Sequence, residues 1–120
     1  MLEISADVRR VVADSRVQNG ICHVYVPHTT AGITINENAD PDVVADMEMT
    51  FDRLVPRDPA YRHGEGNSDS HVKTALVGTS QTVFVRSGDL WLGRWQGIFL
   101  CEFDGPRTRE VLVRVAPDPA

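Results

Sequence analysis

Apolar residues recur with two periods along this chain, one near 3.6 and one near 2, and they divide it into short helices and strands. Ile4, Val8, Val11, Val12 and Ser15 follow the helical period, which predicts a first helix with Ser5 as its cap and Asp7, Arg9, Arg10 and Asp14 on its polar face. Asn19-Gly20 breaks the chain, and Ile21 to Val26 alternates as a strand, with Cys22, Val24 and Val26 on one side and Ile21, His23 and Tyr25 on the other. Pro27 marks the end of ladder pairing. His28 continues the Cys22 side just beyond it, and Thr29 and Thr30 are free either to face a cleft or to serve as ordinary strand residues. Ile33 to Asn36 alternates again and predicts a second short strand. Asp40 then reads as a cap with Pro41 at the first helical position, and Val43, Val44, Met47, Phe51 and Leu54 form the apolar stripe of a second helix.

Residues 55–67 hold Pro56, Pro59, Gly64 and Gly66 and no apolar period, which predicts a long loop carrying His63. Ser68 is placed to cap a third helix through Val77, with Val72, Ala75 and Leu76 facing inward, Gly78 as the stop and His71 in its first turn. The last third reads as strand: Gln81 to Arg86, a long glycine-bearing strand from Leu90 to Phe103, and Thr108 to Val115. On regular alternation Gln96 shares a side with Ile98 and Leu100, so it is expected as a buried amide, held either by a structural hydrogen bond or by a ligand. Trp91 and Trp95 are expected in packing or at a subunit contact, since no Lys or Arg cluster surrounds them as a base-stacking platform would require.

Composition narrows the choice of function. The 120 residues, 42% of them hydrophobic, suffice for one domain with a real core. Twelve Lys and Arg against 17 Asp and Glu give a net charge of −5, and no basic run exists to follow a phosphate backbone, so nucleic acid is not an expected partner. The apolar runs are far too short to cross a bilayer and the first residues lack a signal-peptide core, so a soluble cytoplasmic protein without membrane contact is expected. Cys22 and Cys101 sit in strand patterns without CxxC spacing, which predicts reduced, buried thiols.

The candidate chemistry centres on three of the four histidines. His28, His63 and His71 each lie in a polar, glycine-punctuated segment rather than on an apolar stripe, where imidazole suits phosphate contact, proton transfer or metal ligation. As zinc ligands they would leave an open position for a zinc-dependent hydrolase, although spacings of 35 and 8 residues match no local zinc motif. No GxSxG elbow is present and Cys22 lies within a strand, which argues against covalent hydrolysis. Neither GxGxxG nor GxxxxGK occurs, so no nucleotide cofactor is expected. A small anionic metabolite remains, held by His, Arg and the third helix's N-terminus, with Glu37 and Asp40 available for a divalent ion, magnesium or zinc, or for a proton.

The segments HTTAGITINENADPDVVADM (28–47), YRHGEGNSDSHVKTALVGTS (61–80) and LWLGRWQGIFLCEFDGPRTREVLV (90–113) resemble the signature blocks of the YjbQ family, also called the secondary thiamine-phosphate synthase family, over nearly the whole chain. The resemblance implies an α+β fold, β-sheet-dominated, as a single domain over residues 1–120 with the three helices above, assembled as a homotrimer. It implies an N-terminal edge strand ahead of the start of this sequence, so that edge is expected to be missing, and it normally places a small residue where Arg94 stands. Its implied activity is the joining of a pyrimidine diphosphate to a thiazole phosphate, with release of pyrophosphate. The alternative is a non-catalytic trimeric module for a phosphorylated or carboxylated metabolite. By motif, His28, Glu37, His63 and His71 are the implied catalytic residues, and Thr29, Thr30, Asn38, Asp40, Asn67, Ser80, Gln96 and Arg107 the implied ligand contacts.

Overall fold

A computed structural model describes residues 1–120 as two antiparallel sheets and three helices, an α+β arrangement. In chain order the elements are β1 (Leu2–Glu3), α1 (Ser5–Ser15), β2 (Gly20–Tyr25), β3 (Ala31–Glu37), α2 (Pro41–Leu54), α3 (Ser68–Val77), β4 (Ser80–Arg86), β5 (Asp89–Leu90), β6 (Gln96–Glu102) and β7 (Leu112–Pro117). One sheet has the order β1-β6-β3 and the other β5-β4-β2-β7. The core lies where their inward faces meet α1. Val8 and Val12 from the helix pack with Cys22, Val24 and Val26 of the β2 segment, Ile33 of β3, Val83 and Val85 of β4, and Ile98 of β6. The alternation in β2 therefore buries the residues it predicts, whereas of the helical period in α1 Ile4, Val8 and Val12 are buried and Val11 and Ser15 are exposed. No helix is long and apolar enough to cross a membrane.

Several local expectations are corrected. Ile4, not Ser5, is the cap position of α1; Ser5 is the first helical residue, and its hydroxyl accepts the Ile98 amide at 2.8 Å, tying the helix to β6. Just before it the two-residue β1 pairs antiparallel with β6, Leu2 opposite Leu100. The expected strand from Leu90 to Phe103 is broken, because β5 belongs to one sheet and β6 to the other and the chain must turn between them. Gln96 makes that turn: its Oε1 accepts the Gly93 amide at 2.8 Å, and its side chain is exposed instead of buried. Both tryptophans are more than half exposed, Arg86 lying 5.0 Å over Trp91 and Arg94 4.6 Å over Trp95. The last strand starts at Leu112 and not Thr108, which leaves residues 105–111 as a loop.

Helix α2 is capped as the sequence predicts, with Asp40 Oδ1 accepting the Asp42 amide at 2.9 Å, yet none of its residues is fully buried. Its stripe is half-buried at Val43, Val44, Met47 and Phe51 and open at Leu54. Phe51 meets Phe103 edge-on at 5.7 Å, and Asp52 receives the Lys73 ammonium at 2.6 Å. The third helix reverses its predicted orientation. Asp69, Ser70, Lys73 and Thr74 are buried, while Val72 and Leu76 are exposed. Burying a polar face is tolerated only when it finds partners. Here Ser70 Oγ donates to the Phe103 carbonyl, and Lys73 is shared between Asp52 and Asp69. Asn67, not Ser68, occupies the cap position, and its side chain makes no capping bond.

Candidate functional site

The site is assembled from chain segments that leave the sheets at one end. β2 runs past Tyr25 into Val26, Pro27, His28 and Thr29, and β3 begins immediately after Thr30, so a short bend presents three polar or basic positions, His28, Thr29 and Thr30, at the end of the two strands. β6 ends at Glu102, and Phe103 stays attached through its amide to the Thr30 carbonyl at 3.1 Å. The following loop supplies Arg107 and Arg109. The loop after α2 brings His63 and Glu65, and the start of α3 brings Asn67 and His71. Together these enclose a cavity of about 630 Å³ lined by Tyr25, Val26, Pro27, His28, Thr29, Thr30, His63, Glu65, Asn67, His71, Thr79, Arg107 and Arg109.

Three histidines separated in sequence thus line one hollow, and each plays a distinct geometric part. The His63 and His71 rings stand edge to face with centroids 5.5 Å apart. His28 Nε2 accepts the Glu110 amide at 2.9 Å, so its neutral ring carries the proton on Nδ1, and the residue pins the arginine loop to the end of β2. The fourth histidine, His23, is elsewhere, bonded across the sheet to Thr82 Oγ1 at 3.0 Å.

The arginines are positioned by carboxylates behind the cavity wall. Arg109, with only 8% of its side chain exposed, donates Nε to Glu102 Oε1 at 2.7 Å and Nη2 to Glu102 Oε2, to Thr30 Oγ1 and to the Thr30 carbonyl. Arg107 donates to the Asp104 carbonyl and carboxylate, and Asn67 Nδ2 reaches the same carboxylate at 2.7 Å. In each guanidinium Nη1 donates to no protein group. The Arg109 hydrogen bonds hold the Glu102 carboxyl below its ordinary range against the opposing effect of burial. The Asn67 amide, followed by Arg107, does the same for Asp104. The Glu102 bond in turn raises Arg109.

These shifts predict a pH dependence. A carboxyl whose folded pKa is depressed contributes stability that is complete above the unfolded value, about 4, and is lost as pH falls through the lower folded value. The contribution of these two carboxyls to the urea midpoint should therefore be constant above about pH 5 and fall away below about pH 4. Asp104→Asn, which removes one titrating group, should make that fall shallower; an unchanged slope would show that Asp104 does not contribute.

Of the residues implied by the sequence, His28, Thr29, Thr30, His63, Asn67, His71 and Arg107 meet at this cavity. Glu37, Asn38, Asp40, Ser80 and Gln96 do not line it. Glu37 is at the opposite end of β3 from Thr30, about 20 Å along an extended strand. Asn38 donates to Glu3 at 3.0 Å, Asp40 caps α2, and Ser80 is an exposed strand residue paired with Tyr25. A divalent ion bridged between Glu37, Asp40 and the histidines does not fit this arrangement. No group of three or more His, Cys, Asp or Glu side chains is placed to hold a metal, and His28 Nε2 is already engaged. Both cysteines are free and buried, and burial pushes the Cys101 thiol up to about 11 and raises Cys22, so neither is a poised nucleophile. Arg109, Glu65, Tyr25 and Thr79 were not anticipated. The legible signal for Arg109 was a second cation two positions beyond Arg107, following a glutamate at the end of an otherwise apolar strand.

This arrangement coincides with a described family. The model for "UPF0047 protein YjbQ-like" matches residues 1–118. The chain belongs to this family. A UPF0047 protein of Methanocaldococcus jannaschii is 49% identical over 118 residues, covering 98% of this chain and 86% of the relative. The UPF0047 protein YugU of Bacillus subtilis is 49% identical over 116 residues, covering 96% and 88%. Among solved structures, an uncharacterized YjbQ/UPF0047 protein of Clostridium acetobutylicum superposes with a TM-score of 0.93 at 49% identity, covering 96% of this chain and 89% of that one. A Sulfolobus solfataricus protein described as of unknown function gives 0.93 at 31% identity, covering 98% and 86%. The YjbQ fold is therefore shared by this chain, while the names these relatives carry specify no reaction.

Proposed function

We propose that the cavity binds a small phosphorylated metabolite and that the His63–His71 pair moves a proton on it. The observation that carries this reading is the convergence of three of the four histidines and two arginines on one polar hollow at the start of α3. Guanidinium Nη1 groups and imidazole N–H groups are donors matched to phosphate oxygens. His63 and His71, as a loop residue and a first-turn residue, are the groups free to act as acid and base. His28 acts through the loop it holds.

The coupling of a pyrimidine diphosphate to a thiazole phosphate belongs to this reading as one candidate reaction. It demands stabilisation of departing pyrophosphate. Both arginines are already bonded to carboxylates, so turnover in that reaction is expected to be slow. The same pairing favours a second reading, a binding module without turnover.

Calorimetric titration with inorganic phosphate, alongside the coupling assay, tests both. His71→Ala is expected to weaken phosphate binding about tenfold, in line with loss of a charge-assisted or strong neutral hydrogen bond, and to lower any measurable turnover by about a hundredfold. Binding and turnover both unchanged in His71→Ala and His63→Ala would overturn the site assignment. Phosphate binding intact in a wild-type protein that turns over nothing would select the module.

A further inference from the structure

Glu65 is the feature of the cavity that anion binding does not explain. Of the thirteen lining residues it is the one carboxylate, set against two guanidiniums that are each already neutralised by Glu102 or Asp104 behind the wall. A carboxylate accepts hydrogen bonds and donates none, so in a binding hollow it is matched to a donor on the ligand. Two residues further along the chain, Asn67 is only 8% exposed and holds its Oδ1 without a hydrogen-bond partner, a second acceptor whose amide is oriented by Asp104. Both lie in the turn Gly64-Glu65-Gly66-Asn67, with Gly66 at φ +73°.

Size and lining give the remaining constraints. About 630 Å³ exceeds what a free phosphate ion needs and falls in the range that encloses a whole small molecule. Such pockets are usually lined mainly by hydrophobic and aromatic side chains. Here Tyr25 and Val26 are the hydrophobic members, and the rest is Thr, Asn, Glu, His and Arg with Pro27. A flat heterocycle gains most from apolar faces to lie on, and Tyr25 is the one hydrocarbon ring in this wall, the other three rings being polar imidazoles, of which His63 and His71 stand edge to face. Threonine hydroxyls, an amide and a carboxylate are instead what a chain of hydroxyl groups requires, each hydroxyl giving one hydrogen bond and accepting others.

Resting on the phosphate-binding reading above, we propose that the occupant is a phosphorylated sugar or polyol, its phosphate on Arg107 and the His63–His71 pair and its hydroxyls on Glu65. Selectivity then divides along the cavity. The cationic side sets affinity for the phosphoryl group, and Glu65 distinguishes hydroxylated carbon chains from flat aromatic ones.

The test compares five probes by calorimetry: inorganic phosphate, a pentose 5-phosphate, the unphosphorylated pentose, phenyl phosphate and phosphoethanolamine. The pentose phosphate is expected to bind about tenfold tighter than inorganic phosphate or phenyl phosphate, with the free pentose weakest. Glu65→Gln is expected to remove about tenfold from the pentose phosphate while inorganic phosphate binds as tightly as before or more tightly, because a negative charge has left the wall. Glu65 is exposed on a loop, so this variant keeps the fold, and an unchanged melting temperature verifies it. Phenyl phosphate binding as tightly as the sugar phosphate, a preference for an amine-bearing phosphate such as phosphoethanolamine, or equal weakening of every probe in Glu65→Gln would overturn the proposal while leaving phosphate binding in place. Failure of all four phosphorylated probes to bind would instead remove the phosphate reading beneath it.

Discussion

Arg109→Ala is expected to destabilise the protein by about 3 kcal/mol and to abolish phosphate binding. The side chain is 8% exposed and joins three pieces of the site: the end of β6 through Glu102, the start of β3 through Thr30, and the loop that carries Arg107. Truncation leaves the Glu102 carboxylate, 29% exposed, facing the protein without its cation, and leaves the Thr30 hydroxyl without its donor. Breaking one partner of a buried pair costs more than the pair contributes net, because the surviving charge is stranded. The double variant Arg109→Ala/Glu102→Ala should therefore lose less than the sum of the two single variants, and urea unfolding of all three measures the coupling. A loss below about 1 kcal/mol in Arg109→Ala, the value of an exposed ion pair, would show that this contact is not structural.

Gly32→Ala should lower the melting temperature by about 10 °C, equivalent to roughly 2 to 3 kcal/mol of overpacking in a domain of this size. A Cβ built on Gly32 would stand 2.6 Å from the Gly78 carbonyl oxygen and 3.2 Å from Val77 Cγ1. The first neighbour is backbone at the end of α3, so it cannot rotate aside. That same carbonyl accepts the Ile33 amide at 3.0 Å, the hydrogen bond that seats the helix on β3. Relief requires α3 to lift away, and α3 carries Asn67 and His71 at its other end. Phosphate affinity should fall together with the melting temperature; a shift under about 2 °C with normal affinity would mean the helix is not seated through this contact.

The elements whose boundaries were legible in sequence were those in which local chemistry and burial agree. Along β2 and the residue that follows it the inward positions Cys22, Val24 and Val26 are all fully buried, and in α2 the Asp40-Pro41 start is the one observed. The misreadings share a cause: a residue's partner was distant in sequence. Ser5 looked like a cap because its nearest amides are local, whereas its hydroxyl serves Ile98. α3 looked as though it would bury Val72 and Leu76, whereas Asp52 and Phe103 make its polar side the inner one. Gln96 matched the parity of a single long strand, and parity lost its meaning where the chain left one sheet for the other.

The candidate site divides in the same way. That His28, His63 and His71 were not core residues was visible from the glycines, prolines and polar neighbours around each of them. Glu37, Asn38 and Asp40 had the same polar surroundings, and nothing local separates them from residues at the other end of β3.

Residue order alone was enough for the pattern of helices and strands, the two buried thiols and the polar segments that hold the imidazoles, because periodicity and turn chemistry act over a few residues, while the class of fold was what the family resemblance implied. Which of those segments share a hollow, which face of α3 turns inward, and that Arg109 and Glu65 belong to the cavity wall were decided by packing. Those outcomes depend on contacts between groups tens of residues apart, such as Arg109 with Thr30 and Lys73 with Asp52. Such pairs leave no local imprint, since each partner alone reads as an ordinary surface charge or hydroxyl until the chain brings the other to it.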